Sequence, residues 1–111
     1  MEELQHPRSL IVTLLSDLAE TIGLDEGLEA VVIADREGDN YQLLIIGWDG
    51  ERRVFDTAVY IRLRQGMVWI EHNALPERIG ELLVAAGISR QQIVLGFQPP
   101  HVRSLTDFAA A

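Results

Sequence analysis

The sequence has 111 residues, 48% of them hydrophobic and 23% charged, which suits one ordinary globular domain, 1–111, with chain enough for a real core. Cysteine and lysine are both absent and the formal net charge is −8. That excludes a disulfide framework, thiolate chemistry, a P-loop or Schiff-base lysine and the lysine of restriction-type nucleases, and it disfavours a free-standing binder of duplex DNA.

The imbalance sits in the first half, where residues 1–50 hold eleven acids against Arg8 and Arg36. The remainder holds six acids and seven arginines. Acids of this number keep a surface soluble, or form an acidic docking face. No apolar run is long enough to span a bilayer and Met1–Gln5 carries no basic leader; the absence of cysteine fits the cytoplasm, which is the expected location.

The first element is a helix over Arg8–Ile22. Ile11, Leu14, Leu15, Leu18 and Ile22 form its apolar stripe, Pro7 fits its first turn, and Gly23 is its stop. Leu28–Ala34 is a β-branched strand, followed by an exposed turn cluster, Asp35–Asn40. That cluster lacks the frame of an EF-hand loop, so no metal is expected there.

Tyr41–Arg64 reads as a long hairpin closed at Asp49-Gly50 by a type I′ turn. Its first arm, Leu43–Trp48, is almost continuously apolar and suits a strand covered on both faces. In the second arm, alternation puts Phe55, Thr57, Val59, Ile61 and Leu63 on one face, and Asp56, Ala58, Tyr60, Arg62 and Arg64 on the other. Gln65-Gly66 is a second turn before the strand Met67–His72, whose Met67 and Trp69 face away from Val68 and Ile70. Pro76 opens a second helix to about Ala86, with Ile79, Leu82, Leu83 and Ala86 as its buried stripe and Gly87 as its end. Ser89–Gln92 has capping-box spacing for a single turn, and Ile93–Phe97 is a fifth strand that Pro99-Pro100 must end.

The fold class is therefore α+β: an N-terminal helix, a four-stranded antiparallel meander, a second helix, a fifth strand and a C-terminal tail. Because one helix joins them, the fourth and fifth strands run in the same direction. The fifth can lie parallel beside the fourth, or cross to sit antiparallel beside the first; the reach of the helix favours the crossing. In the tail, Val102, Leu105 and Phe108 gain by burial, so order is expected, with Arg103 and Asp107 pairing across a helical turn.

Catalytic signatures are missing. His6, His72 and His101 lack metal-ligand spacing, and neither a nucleophile elbow nor a dinucleotide fingerprint occurs. No catalytic residue, metal or cofactor is expected. Two stretches suit partner contact. Trp48 beside its turn packs into the core or lines a partner groove. Tyr60, Arg62 and Arg64 share a face, either as solvated edge protection or as the Arg/Tyr composition that interfaces favour.

YQLLIIGWDGERRV, MVWIEHN and ELLVAAGISRQQIVLGFQPPHVRSLTDFAAA resemble the XisI family, the fdxN element excision controlling factors of cyanobacteria. The resemblance runs through nearly the whole chain from about Tyr41. Two positions depart from the family's usual residues: Gln98 stands where histidine is usual, and Ala110 where valine is. The resemblance implies a non-enzymatic accessory factor in programmed DNA excision during heterocyst differentiation. It would act with a nuclease-like XisH partner and a site-specific recombinase. The charge of −8 and the lack of a reading helix add the expectation of no specific DNA binding of its own, and a homo-oligomer is expected. The tail's need to bury its apolar residues extends the interface hypothesis to Gln98, Pro99, Pro100, His101, Arg103, Asp107 and Phe108. Two other readings stay open: an acidic, antitoxin-like inhibitor of a nuclease-like protein, and a small-ligand-binding domain.

Overall fold

The computed structural model describes residues 2–110. Helix α1 spans Glu2–Thr21 and so begins earlier than the stripe alone indicates, continuing N-terminal of Pro7 at the loss of that residue's backbone bond. Ile11, Leu15 and Leu18 are buried against the sheet, as the helical spacing requires.

The strands are β1 (Leu28–Asp35), β2 (Asn40–Asp49), β3 (Arg52–Arg64), β4 (Met67–Asn73) and β5 (Ile93–Leu95), in spatial order β1-β2-β3-β4-β5. The first four form the predicted antiparallel meander. α1 lies against β1 and β2, and α2 (Ile79–Ala85) lies beside α1 and against β4, so both helices cover one face. That inner face supplies Tyr41, Leu43, Val59, Ile61, Leu63, Val68, Ile70 and Ile93 to one core with Ile11, Leu15, Ile79 and Leu83.

Several sequence expectations are corrected. First, β5 pairs parallel with β4, Trp69 opposite Val94, and does not cross to β1. α2 has seven residues, about 10 Å of helix, whereas the far side of β1 lies four strand spacings away, about 19 Å. α1 already occupies that half of the face. β5 is also shorter than predicted, because the chain turns at Gly96 before reaching the prolines: the Gln98 N–H donates to the Leu95 carbonyl at 3.0 Å.

Second, strict alternation fails in β3. The register to β2 jumps at Ala58, Leu43 facing Val59 while Leu44 faces Thr57. This bulge flips every side chain before it to the other face. Val54 is consequently buried at 5% exposure, whereas Phe55, expected with the core set, is 66% exposed.

Third, the β2–β3 turn is Gly50-Glu51, bounded by the pair Asp49 and Arg52. Only Gly50 has positive φ (63°), the pattern of a type II′ turn. The next turn, Gln65-Gly66, carries positive φ at both residues (53° and 76°) and has the I′ pattern. In α2 the helix starts at Ile79, and of the predicted stripe Leu82 and Ala86 are exposed.

A polar staple joins α1 to the β1–β2 loop. Arg8 donates twice to Asp39, Nε to Oδ1 at 2.7 Å and Nη2 to Oδ2 at 2.8 Å, and the Tyr41 hydroxyl donates to Asp39 Oδ1 at 2.9 Å. Hydrogen bonding from Arg8 holds the Asp39 carboxyl below the ordinary carboxylate range. Burial, then the bond to Asp39, pushes the Tyr41 phenol up to about 12. The loop is thus anchored, not merely exposed. Asp35 also folds it locally, accepting from the Gly38 N–H at 2.9 Å.

Candidate partner interface

Neither α1 nor α2 lies on the second face of the sheet. Across the strands, register places Val31 and Ile33 of β1, Leu44 and Ile46 of β2, and Thr57 and Phe55 of β3 on this outer face. Trp48, opposite Arg53, extends it to the hairpin tip. Trp48 is 52% exposed, and the Arg53 guanidinium stands 5.3 Å from its ring centroid. Ile33 and Phe55 are exposed as well, so this half is an open apolar surface.

The other half is closed by the tail. Trp69 packs with Val94 and Ala109, flanked by Met67, in a second small core. Ala109 bridges alongside Val94, and its N–H donates to the Ile93 carbonyl at 2.9 Å. The tail is therefore ordered on its own subunit, as its apolar residues require, with α3 (Pro100–Arg103) as a single turn opened by Pro99 and Pro100. Leu105 is the exception at 82% exposure.

Two guanidinium groups converge on Trp69, Arg64 at 4.9 Å and Arg103 at 5.2 Å from the ring centroid. Arg103 is held in place by the Gln98 carbonyl (Nε, 2.9 Å) and the Gly96 carbonyl (Nη2, 3.3 Å). It does not make the predicted pair with Asp107, because these two carbonyls, freed by the turn after β5, capture it first. Arg62, in register with Trp69, is bound to Glu71 by Nε at 2.8 Å and Nη2 at 2.6 Å. The indole N–H of Trp69 is buried without an acceptor among the described residues.

The sequence-predicted residues thus divide. Arg62, Arg64 and Arg103 come together around Trp69, and Gln98 takes part through the backbone carbonyl that holds Arg103. Tyr60 sits between the two halves, its hydroxyl donating to Asn40 Oδ1 at 2.7 Å. Trp48 belongs to the open half, about 25–30 Å along β3 from Arg62. His101 is exposed, and Asp107 contributes its backbone carbonyl, which accepts from Gln91 Nε2 at 3.3 Å. Phe108 is turned inward against α2: a Cβ on Gly80 would lie 2.9 Å from its ring. Arg90, paired with Glu81 at 2.6 Å, stands 5.4 Å from that ring.

Residue-by-residue reading missed Phe55, Ile33 and Trp69. Phe55 was hidden by the bulge. Trp69 was legible in part, since alternation already set it apart from Val68 and Ile70.

At the sheet's end, Ile70, Leu75, Ile79, Leu95, Phe97 and Phe108 line a cleft of about 300 Å³, with Asn73, Glu77, Arg78 and Glu81 also on its wall. None of those four polar side chains is buried. Among the described residues no three His, Asp or Glu side chains are placed to hold a metal ion, and no helix is long and apolar enough to cross a membrane.

The family described as XisI protein matches residues 1–110. A solved XisI-like protein from Anabaena variabilis ATCC 29413 superposes with a TM-score of 0.91 at 31% identity, over 97% of this chain and 99% of that one. The fdxN element excision controlling factor XisI from the same organism superposes with a TM-score of 0.82 at 33% identity, over 98% and 99%. No curated protein matches the chain.

Proposed function

The chain belongs to the XisI family, and on that premise we propose that it controls excision of a DNA element by gripping a partner protein, not the DNA. The observation that carries this is the open outer face. Trp48, Phe55 and Ile33 expose large apolar side chains on the sheet, a surface that hydrophobic docking covers. Duplex DNA would need a row of free cations. Here Arg62 is neutralised by Glu71 and Arg103 is turned onto carbonyls, in a chain of net charge −8. The partner this reading names is a nuclease-like XisH protein, with a site-specific recombinase completing the excision machinery. The chain itself does no chemistry in this scheme.

The test is co-purification with the XisH-like protein of the same host. Wild-type chain should capture it, and Trp48→Ala with Phe55→Ala should weaken capture by about 30-fold or more, as for hot-spot aromatics, with unchanged melting temperature. Equal capture by both would reject this face. Sequence-dependent retardation of duplex DNA by the chain alone at sub-micromolar concentration would reject the protein-only scheme. If the captured partner cleaves DNA alone and stops when bound, the chain is instead its inhibitor.

A further inference from the structure

The sheet has two edges, and the fold treats them differently. β5 is three residues long and is shielded by the tail at Ala109. β1 is eight residues long and its register to β2 is continuous, without the bulges that interrupt β2–β3 and β3–β4. Its sequence, LEAVVIAD, has no proline and no basic residue. Natural edge strands are ordinarily blunted by such devices, and here charge is the one present, at Glu29 and at the terminal Asp35.

Backbone alternation identifies the free groups. The Trp48 N–H donates to the Gly27 carbonyl at 3.0 Å, in register with Leu28 opposite Gly47. Hydrogen-bonded positions then recur at Glu29, Val31, Ile33 and Asp35. Leu28, Ala30, Val32 and Ala34 therefore turn their N–H and C=O groups away from β2. Of these, only the Leu28 N–H has another partner among the described residues, the Asp25 carbonyl at 3.1 Å.

We propose that the free edge of β1 pairs antiparallel with β1 of a second copy of this chain, joining two five-stranded sheets into one. The edge is self-complementary in one register. Centring the two-fold axis on Val31 sets Ala30 opposite Val32 of the second copy and Leu28 opposite Ala34, so that all four outward residues are paired. Val31 then faces Val31, and Glu29 faces Ile33. Centring on Val32 would set Glu29 opposite Asp35, two like charges in direct contact, which disfavours pairing. The register also lets the apolar strip of Val31, Ile33 and Leu44 run on across the axis. This pairing uses the strand's edge and does not depend on what docks on the outer face.

The test uses the full chain in sedimentation velocity at micromolar concentrations. A dimer is expected. Ala34→Pro removes an outward N–H without breaking a bond to β2, and Val31→Lys sets two cations face to face. Each should raise the dimer dissociation constant by about tenfold or more, with circular dichroism unchanged. The chain has no cysteine of its own, which permits a second measurement. In the centred register the two Val31 Cα atoms lie about 4.5 Å apart, so Val31→Cys should form a covalent dimer on oxidation. The two Ile33 positions are offset by about 13 Å, and Ile33→Cys should not. A monomeric wild type, a dimer indifferent to Ala34→Pro, cross-linking at Ile33 but not Val31, or an edge occupied only by a strand of another protein would each overturn the pairing.

Discussion

Gly47 and Gly50 lie three residues apart in one hairpin and both have positive φ, 141° and 63°. Their surroundings differ. A Cβ at Gly50 meets nothing within 4 Å, whereas at Gly47 it would overlap the backbone carbonyl of Gly27 and come within 3.0 Å of Leu28 Cα. Gly50→Ala should therefore cost only left-handed strain, about 1–2 kcal/mol. Gly47→Ala should add to about 1–3 kcal/mol of strain a further 1–3 kcal/mol or so of overpacking, because backbone cannot swing aside as a side chain can. Both substitutions lower the entropy of the unfolded chain equally, so the difference between them isolates the clash. At about 4 °C per kcal/mol for a domain of this size, Gly47→Ala should melt about 8–24 °C below wild type and Gly50→Ala about 4–8 °C below. Thermal unfolding followed by circular dichroism measures both. Equal shifts would refute the reasoning and mean that β1 does not cross β2 as tightly as the contact at Gly27 requires.

Asp39→Asn should destabilise the protein at neutral pH and matter progressively less in acid. The Asp39 carboxyl is held low in the folded state, so its contribution is full above the unfolded pKa of about 4 and is lost as pH falls through the lower folded value. Melting temperature against pH for both proteins checks the sign. Phe108→Ala should cost about 2 kcal/mol as a half-buried ring, while Leu105→Ser should stay within about 0.5 kcal/mol; urea titration compares them. In a Trp48→Phe background, Arg103→Ala should red-shift Trp69 emission as the tail loosens, and an unshifted spectrum would mean that Arg103 does not seal the second core. Truncation after Gln98 should lower stability, since it removes both Phe108 and the bridge at Ala109.

The helix stripe and the four-stranded meander were legible by themselves, because each is set by local chemistry: spacing of apolar residues and turn residues. So was the ordering of the tail, which followed from apolar side chains that water would not hold. The positions that only the folded chain decided are those where one residue more or less changes partners. A bulge at Ala58 exchanged Val54 for Phe55 at the surface, and nothing in the alternation of that arm announced it. The turn moved by one residue because Gly50 serves as the first central residue of a type II′ turn, which prefers glycine there as strongly as a type I′ turn prefers Asp-Gly. β5 joined β4 because α2 is short and α1 already filled the far half of the inner face. Arg103 chose two carbonyls over Asp107 because the turn at Gly96 put them nearer. Each of these is a competition between contacts distant in sequence, and the residue pattern within one element does not contain the competitor.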